Sequence, residues 1–313
     1  MHITKLTTLL IAFITAAYEM ISPVNAAGVI GVDCTSSTDP DVIAAGGFGQ
    51  CDQTPDAMVV KFYKLGLCKE KPTYKDYSSC EFLFDNPNGK EVTLSTTSSD
   101  KLIEGRSVSV SEGSYKYAML VISNTLGLKE SLTFDNSIGA MNGSSGRYCR
   151  TNGNPHKDAP TSHSDGMFDC SSSATGSPRV SEVTYKGFWD PDFDENAAIA
   201  PGNMPFTTGL FDEVASADAK FDVILVSTEG SLASINTNLN AYGAPYASGD
   251  ASRIWGVQTF TNPKKIDFNT TNLDLSFGIR DGIIVNFGQY CLNGGKCLEM
   301  STISKFEFKI TTN

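Results

Sequence analysis

The chain has 313 residues, 40% of them hydrophobic, and a formal net charge of −11. That charge excludes nucleic-acid backbone binding, which needs clustered Lys and Arg to neutralise phosphates. The length admits one large β domain or two small ones, and Gly, Ser, Thr, Asn and Asp are abundant throughout.

Residues 1–26 read as a secretory signal peptide: His2 and Lys5 near the start, an apolar run from Leu6 to Ala17, and small residues around Ala26, after which cleavage is expected. The apolar run is short for a bilayer span, and no second long one follows. Cleavage removes Lys5 and Glu19 together, so the charge stays at −11. A secreted, periplasmic or cell-surface protein is expected, with no membrane span after cleavage.

Residues 27–56 lack a sustained period and read as an irregular arm tied by Cys34 and Cys51. Met58 to Leu67 is rich in β-formers, and Cys80, Phe82 and Phe84 share one face of the next strand. Asn86-Pro-Asn-Gly89 has turn composition, so Val92 and Leu94 are expected to close a hairpin. Tyr115 to Ile122 is an almost unbroken apolar run, as in a central strand buried on both faces, and Leu132 and Phe134 extend one more strand. This is the cadence of a sandwich.

Between 136 and 179 Gly, Ser, Asn and Pro dominate, and the expectation is a long strand-poor insertion stapled by Cys149 and Cys170. Strands resume over Val180 to Trp189, Phe221 to Val226, Ile254 to Phe260, Ile266 to Phe268 and Phe306 to Ile310. One or two helical turns are expected at Gly209 to Ala219 and at Ser231 to Leu239. In Leu273 to Phe287, apolar residues alternate with polar ones on both sides of Arg280-Asp281-Gly282. A three-residue loop there would pair residue 279 with 283 and give a hairpin with one apolar face.

All eight cysteines lie after residue 26 and fall into neighbours: Cys34 with Cys51, Cys68 with Cys80, Cys149 with Cys170, Cys291 with Cys297. An even count in an exported chain reads as disulfides. Spacing alone leaves the connectivity open, and neighbour pairing is the simplest scheme.

Three groups could carry chemistry. Asp190, Asp192 and Asp194 alternate in Asp190-Pro-Asp-Phe-Asp-Glu-Asn196 and could offer oxygens to Ca²⁺, although Glu195 replaces the Gly of an EF-hand loop and Pro201 its closing Glu; a solvated acidic turn is the simpler reading of the same residues. Calcium is the one cofactor candidate. His156, Asp158, His163, Asp165 and Asp169 could ligate Zn²⁺ or Cu²⁺ within the insertion, or be exposed loop residues. Trp189 and Trp255 with Tyr242 and Tyr246 could stack sugars, or be core. Ser98-Ser-Asp-Lys101 matches SxxK without a companion motif, and no GxSxG elbow occurs. No catalytic residue is assigned.

Lys-Leu-Gly-Leu67, Val-Thr-Leu94, Glu-Gly-Ser-Tyr115-Lys-Tyr-Ala-Met-Leu-Val-Ile122 and Leu273-Asp-Leu-Ser-Phe277 together resemble exported bacterial β-sandwich modules of the prealbumin-like kind. That resemblance implies a fold and no catalytic residues. The expectation is therefore an all-β chain, an antiparallel β-sandwich over 57–313 with the stapled insertion, or two sandwiches in series. Its expected role is non-enzymatic, as a cell-surface, filament or appendage component contacting protein subunits or surface glycans. The alternative is a carbohydrate-binding or glycan-hydrolysing protein.

Overall fold

The computed structural model describes residues 34, 49–95, 110–155, 166–184, 219–227, 235–236, 246–247, 252–270, 273–279, 282–288, 297–303 and 307–312. Among them every regular element is a β-strand, so the chain is all-β.

One sheet has seven strands, with β2 (Ala57–Cys68) as its spine. Along one side β2 pairs with β3 (Cys80–Leu94); along the other it pairs with β4 (Gly113–Ser123) and then β5 (Thr125–Lys129). Beyond β4 lie β13 (Arg253–Ile266) and β10 (Ala219–Val226), and beyond β5 lies β9 (Ser181–Thr184). The inner row of β2 changes parity, from Met58, Val60 and Phe62 to Leu65 and Leu67, because the register slips between Phe62 and Lys64.

The slip has its cause in β3. Phe62 faces Lys90 and Lys64 faces Asp85, so residues 86–89 stand opposite Tyr63 alone. The expected turn chemistry is there: the Asn88 amide donates to Asn86 Oδ1 at 3.0 Å, and Gly89 has φ 71°. It serves a bulge inside one strand instead of a hairpin, since both flanks pair with β2.

β4 behaves as its apolar run implies. Ala118, Leu120 and Ile122 enter the main core, while Met119 and Val121 are buried in a second cluster on the opposite face.

The other large sheet has the order β1 (Gly49–Gln53), β15 (Ile283–Gly288), β16 (Cys297–Ile303), β6 (Ser131–Ala140), β7 (Ser145–Thr151), β8 (Phe168–Ser171). It corrects several expectations. The end of the arm at 27–56 is an edge strand, because Gly49–Gln53 pairs with β15. The region 136–179 is not strand-poor throughout: the end of β6, all of β7 and all of β8 fall within it. Among them Ile138, Ala140, Cys149, Phe168 and Cys170 are buried, and that is enough to seat polar-looking strands. Cys149 and Cys170 lie directly opposite each other on β7 and β8, so their bridge staples a sheet and not a loop. Pairing is also not antiparallel everywhere, as β16 and β6 run parallel at Cys297 with Gly139 and Leu298 with Ala140.

The hairpin expected at 273–287 does not form. β14 (Leu273–Gly278) pairs with β17 (Glu307–Thr312), whereas β15 pairs with β1 and β16. The Gly282 amide donates to Ile279 O at 3.0 Å, between β14, which with β17 makes a two-stranded sheet, and β15 of the six-stranded one. The face assignment survives: Ile279, Ile283, Val285 and Phe287 are buried, and Phe277 packs on the core with its ring 4.8 Å from that of Phe62. Ile235 and Asn236, expected in a helical turn, form β11 (Ile235–Asn236) against β12 (Tyr246–Ala247).

Phe62, Leu65 and Leu120 from one large sheet and Phe134, Phe168 and Val285 from the other belong to a single buried cluster, as the facing sheets of a sandwich do. The neighbour scheme of disulfides holds for Cys34–Cys51, Cys68–Cys80 and Cys149–Cys170. Each is worth roughly 2–4 kcal/mol in the chain-entropy model. Cys297 is disulfide-bonded too, and Cys291, its expected partner, lies outside the described residues.

The chain crosses between sheets at Glu130, which separates β5 from β6, and again between β8 and β9. Thr151, at the end of β7, ties both crossings. Its hydroxyl accepts from the Glu130 amide (3.1 Å) and donates to Arg179 O (2.5 Å). Its backbone N–H donates to Glu130 O (3.1 Å), and its carbonyl accepts from the Arg179 amide (2.9 Å). Thr151→Val keeps the shape and strands a buried N–H, so it should destabilise by about 1–3 kcal/mol, whereas Thr133→Val on exposed β6 surface should change stability by less than about 0.5 kcal/mol. Denaturant melts of both variants check this, and equal effects would mean that the corner is not a clamp.

Candidate interaction surface

The second apolar cluster lies on the outer face of the seven-stranded sheet: Cys68, Met119, Val121, Val226, Trp255 and Val257, with Tyr63, Tyr74, Tyr77 and Tyr117 packed half-buried against it. Part of this cover comes from the loop closed by Cys68–Cys80. Thr73 and Asp76 exchange backbone hydrogen bonds (3.1 and 3.2 Å) and tighten its tip. The Tyr77 hydroxyl donates to Tyr74 O (2.9 Å), and its ring meets Phe82 edge-on at 6.2 Å. Burial pushes the Tyr77 phenol above its ordinary pKa, with the Arg253 charge pulling the other way.

Cations rest on these rings. Arg253 sits 4.0 Å and Lys61 5.7 Å from the Tyr63 centroid, Lys75 5.2 Å from Tyr74, Lys116 5.7 Å from Tyr117 and Lys64 4.9 Å from Phe82. Lys64 also pairs with Asp85 at 2.6 Å. Such contacts are worth about 0.5–1 kcal/mol when exposed. They make a ring-and-cation face on a chain whose net charge is −11.

Near the start of β3 the carboxylate of Glu81 is held by three groups. The Ser111 amide donates to its Oε2 (2.6 Å), the Tyr115 hydroxyl to its Oε1 (2.9 Å), and Lys69 Nζ lies 4.0 Å away. The Tyr115 hydroxyl is also 2.8 Å from Ser111 O, so one proton serves two acceptors. Lys69 stands 5.3 Å over the Tyr115 ring. Partial burial pushes the Glu81 carboxyl up, but the Ser111 and Tyr115 hydrogen bonds and the Lys69 charge outweigh it, leaving the pKa below its ordinary 4.5. Burial first, then the hydrogen bond and charge of Glu81, raise the Tyr115 phenol well above its ordinary 10.0.

No family model matches the chain, and no curated protein or solved structure matches it.

Of the residues expected to form sites, only Trp255, Tyr246 and Asp169 fall among the described residues. Trp255 is core, 1% exposed in the outer cluster, and offers no stacking face. Tyr246 lies on the β11–β12 ribbon. Trp189, Tyr242, Asp190, Asp192 and Asp194 lie outside the described residues, as do His156, Asp158, His163, Asp165 and Ser98 to Lys101. Asp169 is exposed, and its Oδ1 accepts from Asn142 Nδ2 (2.6 Å) and Asn152 Nδ2 (3.1 Å). Among the described residues no group of three or more His, Cys, Asp or Glu is arranged to hold a metal ion.

The tyrosine and lysine face was not singled out from the sequence, though its signal is present as Lys61 two before Tyr63, Tyr74 beside Lys75 and Lys116 beside Tyr117. The Glu81–Tyr115 contact joins residues 34 positions apart, and no local pattern announces it.

Because the Glu81 pKa is depressed in the folded state, its ionised form contributes stability above pH 4.5, and that contribution is lost as pH falls through the folded value. Glu81→Gln should therefore be less stable than the native chain at pH 7, with the gap closing below pH 4.5. Thermal melts of both proteins across that range check it; a gap that does not narrow in acid would contradict the clamp.

Proposed function

We propose that the protein is exported and works by contact and not by catalysis, as a component of a cell surface, filament or appendage, with the ring-and-cation face as its contact surface. The observation that carries this reading is the face itself. Tyr63, Tyr74, Tyr77 and Tyr117 with Arg253 have the aromatic character of interface cores, and Lys61, Lys75 and Lys116 supply the charge of a polar rim. The rest of the chain is acidic enough to complement the face on a second copy or to meet another subunit. Three disulfides support an oxidising compartment, and the reading of residues 1–26 as a signal peptide agrees with export. Among the described residues no helix is long and apolar enough to cross a membrane. The resemblance to prealbumin-like exported modules belongs to the same reading: its four motifs fall on β2, β3, β4 and β14.

Size-exclusion chromatography and negative-stain microscopy test the proposal. Concentration-dependent assemblies are expected, and Lys75→Glu with Lys116→Glu should disperse them while leaving the melting temperature nearly unchanged, since both side chains are exposed. A chain that stays monomeric at every concentration and instead gives hits on a glycan array would replace this reading with a carbohydrate-directed one. Assemblies that persist in the double variant would put the contact on another surface.

A further inference from the structure

The bulge in β3 exposes a reactive dipeptide. The described residues contain three Asn-Gly pairs: Asn88-Gly89, Asn142-Gly143 and Asn152-Gly153; a fourth, Asn293-Gly294, lies outside them. An Asn followed by Gly is chemically labile, because glycine presents its backbone nitrogen to the side-chain amide without a Cβ in the way.

Two of the three pairs are locked at both reacting atoms. Asn142 donates through Nδ2 to Asp169 Oδ1 (2.6 Å) and accepts at Oδ1 from the Ser144 amide (3.0 Å) and hydroxyl (2.7 Å), while the Gly143 nitrogen donates to Ala140 O (2.9 Å). Asn152 is buried, donates through Nδ2 to Gly166 O (2.8 Å) and Asp169 Oδ1 (3.1 Å), and accepts from the Asn154 amide (2.8 Å). The Gly153 nitrogen donates to Ser181 Oγ (3.0 Å).

Asn88 differs at its side chain. It is exposed, only its backbone amide is engaged, by Asn86 Oδ1 (3.0 Å), and Gly89 has no residue of its own opposite it in the strand register. Nearby Asn86 cannot react in the same way, because Pro87 has no N–H.

We propose that Asn88 is a site of spontaneous deamidation in the folded protein. The Gly89 nitrogen attacks Asn88 Cγ and forms a new C–N bond; the bond from Cγ to the side-chain nitrogen breaks, and ammonia leaves with the proton lost by Gly89. Water then opens the resulting succinimide at either carbonyl and leaves aspartate or isoaspartate at 88. The new carboxylate appears where Arg253 Nη2 reaches Pro87 O (3.4 Å) and the Lys61 stem lies against Gly89. It therefore adds negative charge at the rim of the ring-and-cation face, and isoaspartate adds a main-chain carbon to the bulge.

The test is to age the intact protein at mildly alkaline pH and map it with trypsin, which separates the three pairs into Asp76–Lys90, Glu130–Arg147 and Thr151–Lys157. Fragmentation then locates the replacement of amide nitrogen by oxygen. Each locked side chain must break two or more hydrogen bonds first, so conversion at Asn88 should be on the order of tenfold faster or more than at Asn142 or Asn152. In urea with the disulfides reduced, the three rates should converge. Equal rates in the folded protein, or an Asn88 that stays intact while it converts in urea, would overturn the assignment.

Discussion

The fold depends on a corner. Two sheets share one core only if the chain can pass between them without leaving buried backbone groups unpaired, since each such group costs on the order of 1–3 kcal/mol. Glu130 is the passage, fully buried between β5 and β6. Its amide and carbonyl both go to Thr151, which in turn holds both backbone groups of Arg179 or receives them. One threonine thus closes the junction of three segments. Its hydroxyl donates one hydrogen bond and accepts another, capacities that valine lacks and serine would supply without the methyl.

The seven-stranded sheet is loaded on both faces, which sets it apart from a sheet with one dry and one wet side. Its inner face meets the other sheet; its outer face carries a small apolar cluster too large to leave bare and too small to need a third layer. A disulfide loop and four tyrosines close over it, with Lys or Arg over the rings of Tyr63, Tyr74 and Tyr117. The result is amphipathic: rings inward, charge outward. That combination is compatible with water in the free protein and with burial against a partner, which is why it is the best candidate for contact.

Much of the local pattern was legible in the sequence and most of the pairing was not. Periodicity located the strands and their buried rows, including Ile283, Val285 and Phe287 and the two-sided β4, because alternation reports burial directly. Partner choice is decided elsewhere. Residues 283–288 are near 273–278 in the chain but pair with 49–53 and 297–303, and nothing local distinguishes those options. Asn86-Pro-Asn-Gly89 carried real turn chemistry that a long neighbouring strand absorbed as a bulge. The strands at 145–151 and 168–171 were hidden by Gly and Ser, since a short strand needs only one or two buried side chains to be seated. The contact face was invisible for the same reason as the pairing: its tyrosines come from β2, β4 and a loop, and only the sheet brings them together.

Native-state hydrogen exchange tests most directly whether one cooperative core spans both sheets. The amides of Glu130, Thr151 and Arg179 at the corner should exchange in the slowest class, at the same free energy as Leu120 in β4 and Val285 in β15, because opening any of them would require the shared cluster to come apart. If the two sheets exchange with separate free energies, and the corner follows the weaker one, the sheets are independent units and the account of a single clamped core is wrong.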